Sequence, residues 1–434
     1  MLEYIIIKYI KVENKEPVKM NETLFNKAHL DEYVELVVRK GVNIQPGQQL
    51  LISCKVECAF FARQAMKVAF EAGASNVHIR WIDELCSRTR YLMANDEIFD
   101  TFPVWDKLMF DSLAEDGAAF LNIEASDPEA FKGVDSGRLS RFNIAVSGAL
   151  KGYFEKIITG GVRWCVASVP SETWAKKVFP EAATTDEAMS LLWKNIFAAS
   201  RVGDGNAVEN WNAHIDTLQR RRSILNGYRF KSIHLKNSAG TDLHMELPEK
   251  HQWLGGGDVA KDGLHFLANI PTEEIFSAPV ADGVNGTVVG TMPNVFRGNL
   301  IDDFSITFKD GKVVSYDAKV GKEHLANMIT DIPGMDKLGE IALVEHDSPI
   351  SNTGILFYNT LYDENASCHL ALGSAYPDSI EGGGEMTEEQ RAAEGLNISD
   401  NHQDFMFGSA DMSIVGTTAD GEEVVIFKDG NFVI

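Results

Sequence analysis

Cysteine is scarce in this chain. Five thiols, Cys54, Cys58, Cys86, Cys165 and Cys368, are spread over 434 residues, and no CxxC pair occurs. An odd, scattered set excludes a disulfide framework and a thiolate zinc site, and it points to a reducing cytoplasm. Basic residues are also in short supply: 40 Lys and Arg stand against 63 Asp and Glu, a formal net charge of −23. That surface repels a phosphate backbone, which argues against nucleic acid as a partner. Long apolar runs are missing as well. Tyr4 to Ile10 is short and broken by Lys8, whereas a membrane span needs roughly 20 apolar residues. Residues 1–19 also lack a small-residue cleavage site, so they do not read as a signal peptide. Met20 opens a more ordinary start, and the expectation is that 1–19 is a non-native extension. No internal repeat or low-complexity tract interrupts the rest.

What remains is a chain of globular composition, 24% charged and 44% hydrophobic, long enough for two or three domains. From about 28 to 200, strand and helix patterns alternate. Gln49–Cys54, Asn76–Ile82, Ala118–Ile123 and Arg163–Val169 read as strands, and Cys58–Ala72 as an amphipathic helix. This order predicts an α/β N-terminal domain over 20–205, a mostly parallel sheet with helices on both faces. A helix over Asn206–Asn226 reads as a hinge, 206–227, and its Arg220–Arg222 run as solvated surface. From 228 to 434 strands follow one another directly. Asp-Gly turns at 310–311 and 429–430 predict hairpins. Helices are expected over Lys322–Thr330 and, behind a Thr387-x-x-Gln390 capping box, to Ala393. The second half therefore reads as a β-rich α+β domain.

No GxGxxG follows the first strand and no Walker sequence occurs, so a nucleotide role is unsupported. HExxH and GxSxG are absent too, which excludes a zincin and leaves no serine nucleophile. Four segments are nonetheless dense in metal-capable groups. In PTEE, Glu273 and Glu274 would face opposite ways on a strand, Glu274 sharing a face with Phe276. Alone, adjacent glutamates are ordinarily surface residues. Glu340 stands at the mouth of an apolar strand, where it must be paired, bind metal or reach solvent. His369 lies in a segment that reads as a helix from about Glu364, with Asp363 as N-cap. His369 and Tyr376 would then share a face, unless Gly373 ends the helix first. A lone histidine there is ordinarily a hydrogen-bonded core residue. His402 and Asp404 project from one face of a strand and suit a transition metal or a simple ion pair. Two imidazoles and three carboxylates are a typical inventory for two divalent ions.

The stretches NIPTEEIFSAP, LGEIALVEHDSPI, LFYNTLYDENASCHLALGSAYP and DNHQDFMFGS resemble the thermophilic-aminopeptidase family of metallopeptidases, which includes aminopeptidases T, S and PepS. The likeness runs from about Met20 to the end. It implies a C-terminal metal-binding domain with Glu274, Glu340, His369, Tyr376, His402 and Asp404 as ligands to two divalent ions (Zn, Co or Mg), Glu340 doubling as the catalytic carboxylate. It leaves Glu273 as the alternative to Glu274. It further implies a homodimer that admits short peptides with a free N-terminus. Two details depart from the usual wording: VEHDSP where VPxDSP is common, and Gln403 where Val is common. The alternatives are a metal-dependent hydrolase of another amide or ester, and a non-catalytic binding protein, which the presence of all six candidates disfavours.

Overall fold

In the computed structural model, residues 24–434 are described, apart from 126, 128, 297 and 298. The expected start at Met20 and the extension 1–19 lie outside the described residues. Strands Gln49–Lys55, Asn76–Ile82, Ala119–Glu124 and Trp164–Ser168 pair in parallel. Helices cover both faces, which is why the central strands are apolar on successive residues. On one side the helix Ala59–Glu71 buries Phe61, Ala62, Ala65, Val68 and Ala69. On the other, Phe110 and Leu113 of Val104–Glu115 meet Leu51 and Phe120. A fifth strand was not legible in advance. Asn269–Ile270, from beyond the long helix, pairs in parallel with Trp164–Ser168.

That long helix spans Ala207–Tyr228 and buries Trp211, Ile215, Leu218 and Leu225. It ends at Arg229, in the left-handed conformation, rather than at Asn226-Gly227. Asn226 is tied on both sides to the backbone of Trp253. We keep 206–227 as a proposed boundary between the halves, with Asn269–Ile270 crossing it. The arginine run is not simply solvated. Arg220 is exposed, but Arg221 makes a two-point ion pair with Glu345 and stacks over Phe432. Arg222 donates to the carbonyl of Gly255. Glu345 is the residue that departs from the family's usual VPxDSP, and its partner explains what the carboxylate does there.

Past Tyr228 the described residues form two main antiparallel sheets, beside a two-stranded ribbon of Asp258–Val259 with His265–Phe266. The larger contains both expected hairpins, Asn299–Lys309 with Lys312–Val320 and Glu423–Lys428 with Asn431–Phe432. The smaller runs in the order Leu254–Gly255, Ile275–Ser277, Leu338–Leu343, His369–Gly373, His402–Met406. Helix Lys322–Thr330 and the capping box of Thr387 with Gln390 are present as predicted. Among the described residues no helix is long and apolar enough to cross a membrane.

Candidate metal centre

The smaller sheet has one apolar face and one ionisable face, and register decides which residue goes where. Directly opposed residues of antiparallel strands share a face. Ile341 opposes Leu370, and Leu370 opposes Phe405. These are buried, each worth roughly 1.5–3 kcal/mol, which helps offset the cost of burying charge on the other side. On that other side Glu340 opposes Ala371, Ala371 opposes Asp404, Ala342 opposes His369, and Gly373 opposes His402. Phe276 also opposes Ala342, so Glu274, two residues earlier, falls on the same face. Small residues at 342 and 371 leave room above the floor for five functional side chains. A bulge between Leu338 and Glu340 lets Leu338 oppose Leu372 on the apolar face while Glu340 turns to the ionisable one.

Two expectations are corrected. Glu340 is not at the mouth of a strand but inside Leu338–Leu343, which is buried throughout. His369 is on a strand, not a helix: the helix is the short Thr360–Glu364, and His369–Gly373 is extended. A short buried apolar run reads alike in both states, and pairing with two flanking strands settles it. Asp363 is not an N-cap at a helix start. Its carboxylate accepts from the backbone of Phe357 and Asn359, and burial raises its pKa to about 7. Gly373 has φ +104, and a Cβ there would lie 2.1 Å from the carbonyl of Asn401. This glycine ends the strand, so Tyr376 stands in the following turn. Its ring packs 5.5 Å from Phe276 and 5.1 Å from His402.

The donor atoms converge. His369 Nε2 lies 3.1 Å from Glu274 Oε2 and 3.7 Å from Glu340 Oε1. His402 Nε2 lies 3.3 Å from Glu340 Oε2 and 3.3 Å from Asp404 Oδ1. Each imidazole commits its Nδ1–H to a backbone carbonyl, Ser367 for His369 and Ser374 for His402. A carbonyl only accepts, so Nε2 is in both cases the atom turned to the carboxylates. Burial disfavours charge on both imidazoles, yet the facing carboxylates outweigh it and hold their pKa well above the ordinary value. For Glu340 and Asp404 burial is likewise outweighed, by the bonded histidines, and the pKa falls. Burial raises that of Glu274. Tyr376 keeps 46% of its surface exposed, but its phenol is pushed well up by burial of that end of the side chain and by the surrounding carboxylates.

Glu364 is the residue that sequence reasoning missed. It stands at the end of the short helix, its pKa raised far above normal by burial and then by Asp404, Glu274 and Glu340. Its only signal was a charged Asp363-Glu364-Asn365 run inside an otherwise apolar stretch. The fate of Glu273 was legible only as an alternative. It points away, into a two-point ion pair with Arg201, 3.5 Å from His214 Nε2. Its amide donates to Asn365 Oδ1. The glycine run 255–257 adds a constraint: a Cβ on Gly255, at φ +119, would sit 2.4 Å from the carbonyl of Glu274.

The residues fit divalent cations. Four carboxylates, Glu274, Glu340, Glu364 and Asp404, crowd two imidazoles. With all four carboxylates ionised the two protonated rings would leave negative charge uncompensated, which burial makes costly. The raised pKa values of Glu274 and Glu364 are the response to that crowding, and bound cations would relieve it. Glu340 Oε2 is buried, with His402 Nε2 at 3.3 Å but no well-aligned hydrogen bond among the described residues. The donors form two groups, Glu274–Glu340–His369 and Glu340–His402–Asp404, each with its ligand atoms within 4.8 Å of one another.

Comparison with known proteins bears directly on this. The model of the family described as thermophilic metalloprotease (M29) matches residues 26–432. The chain belongs to the M29 family. Among its M29 relatives, aminopeptidase AmpS of Bacillus subtilis (strain 168) is 43% identical over 93% of this chain and 98% of its own. Aminopeptidase PepS of Streptococcus thermophilus is 42% identical over 94% and 98%. The solved structure of wild-type AmpT from Thermus thermophilus superposes with a TM-score of 0.88 at 34% identity, over 94% of this chain and 100% of that one. The M29 fold, a parallel sheet with helices followed by antiparallel sheets, is therefore that of this chain.

Proposed function

We propose that this M29 protein is a dinuclear metallo-aminopeptidase that removes N-terminal residues from short peptides. One observation carries the reading: two imidazole Nε2 atoms and a shared glutamate face one another in two overlapping donor groups. Glu274, Glu340 and His369 would hold one divalent ion, and Glu340, His402 and Asp404 the other, with the Tyr376 phenol at the rim. Zn, Co and Mg are the candidate ions. When bound, such ions acidify a water molecule and polarise a carbonyl.

The chain's own residues supply the rest. Glu340 divides its two oxygens between the two groups, which suits a bridging ligand. A proton carrier needs a carboxyl that coordination does not consume, and Glu364 is that group. With bound ions offsetting the neighbouring carboxylates it would ionise, and it would then take the proton from the attacking water on a carboxylate oxygen and return it to the leaving amine. The acidic surround favours a substrate that brings its own cation, the free N-terminal ammonium. A homodimer and a cytoplasmic location complete the proposal, the latter in keeping with five free thiols, four of them buried.

Hydrolysis of leucine amide, before and after dialysis against a strong chelator, tests the reading. Activity is expected to vanish and to return with Zn, Co or Mg. Glu340→Gln, His369→Ala and His402→Ala should each abolish it in folded protein. Unchanged activity in His402→Ala would refute the site. Cleavage of N-acetylated substrates would favour another amidase or esterase instead.

A further inference from the structure

A second constellation of ligand atoms lies on a different sheet. In the larger antiparallel sheet, strands Phe230–Lys236 and Asp242–Glu246 pair with His234 opposite His244 and Lys236 opposite Asp242. Asp242 and His244 are two apart on one strand, so they share a face with each other and with His234. The reverse face is apolar: Ile233, Leu235, Leu243 and Met245 are buried. Both strands are interior to the sheet, flanked by Val284–Val289 and Ser413–Thr418, so the backbone beneath the three side chains is fixed.

The two imidazoles stack with centroids 3.7 Å apart and planes 12° from parallel. His234 Nε2 is 2.7 Å from Asp242 Oδ1. One donor atom from each residue falls within 4.8 Å of the others. Cross-strand positions of this kind need only side-chain rotation to close on one ion, and half-exposed side chains can rotate. A competing cation is Lys236, whose Nζ lies 3.5 Å from Asp242 Oδ2.

We propose that His234, His244 and Asp242 form a surface site for a divalent transition-metal ion, zinc being the type. Two imidazoles and one carboxylate select zinc, copper or nickel over magnesium or calcium. Three protein ligands leave a fourth position to water. The ion would bridge two neighbouring strands and so stabilise the folded chain in proportion to its concentration.

The test is zinc per chain in the full-length protein, equilibrated with zinc and freed of excess by gel filtration. Wild type is compared with His234→Gln/His244→Gln and with Asp242→Asn. The double variant is expected to bind about one zinc fewer, with its circular dichroism and leucine-amide hydrolysis unchanged. The wild-type thermal midpoint should keep rising at zinc levels that already saturate activity, and the double variant's should not. Equal zinc content and equal midpoints in wild type and the double variant would overturn the proposal. Because the readout is a difference between two proteins with the same Glu274 to Asp404 centre, failure of the dinuclear reading leaves it intact. Should the double variant fail to fold, His244→Gln alone, followed by the histidine ring resonances on zinc addition, decides the matter.

Discussion

Arg201 grips Glu273 with both terminal guanidinium nitrogens, one residue before Glu274. The arginine lies in the turn after the helix Thr185–Ala199, ahead of the long helix. The glutamate introduces the first donor of the metal centre. Adjacent residues of an extended segment point opposite ways, so anchoring Glu273 on one side fixes Glu274 on the other. His214 bonds to Arg201 and to the carbonyl of Thr272, closing the clamp.

Arg201→Met therefore strands a buried carboxylate. A loss of about 3–5 kcal/mol is expected, as for other buried pairs broken on one side. Urea unfolding measures it. Metal retained after gel filtration should fall as well, because Glu274 loses its anchor. Arg201→Lys restores charge but not the two-point contact, and should recover only part of either quantity.

Glu364→Gln separates proton transfer from metal binding. The expected outcome is a fall in kcat of about 10²- to 10⁴-fold with metal per chain unchanged. His402→Ala should lose activity and metal together. If Glu364→Gln lost metal too, the carboxyl would be a ligand rather than a carrier.

Ala371 lies between Glu340 and Asp404 in the register. Ala371→Leu places three extra carbons on the floor of the site. Overpacking of this kind costs about 1–3 kcal/mol. Here it should also push the two carboxylates apart, so metal affinity should fall more than thermal stability. Equilibrium dialysis alongside a melting curve compares the two.

Asp363 gives a pH dependence whose sign is fixed. Burial raises its pKa from the ordinary 3.8 to about 7 in the folded chain. Its contribution is fully present below pH about 4, where both states are protonated, and is lost as pH rises toward 7. Above that it is flat. Asp363→Asn removes the titration, so its stability relative to wild type should improve across that window, by on the order of a few kcal/mol. Urea midpoints at pH 4.5 and 7.5 report the difference; a parallel pair of curves would refute it.

Much of this protein was legible in its sequence, and for a clear reason. Strands such as Asn76–Ile82 and the helix Lys322–Thr330 are set by local periodicity, and the capping box at Thr387 by two residues three apart. The candidate donors were legible as residue types, because buried carboxylates and imidazoles need partners. What the sequence left open depends on pairing. His369 was read on a helix because a five-residue apolar run carries no period of its own. Only its register against Leu338–Leu343 and His402–Met406 makes it a strand. Glu364 and the clamp of Arg201 on Glu273 join residues brought together by tertiary contact, which no local pattern encodes. Local chemistry determined what the side chains are able to do. The register of one antiparallel sheet decided which of them meet, because a single-residue slip would turn every donor to the opposite face.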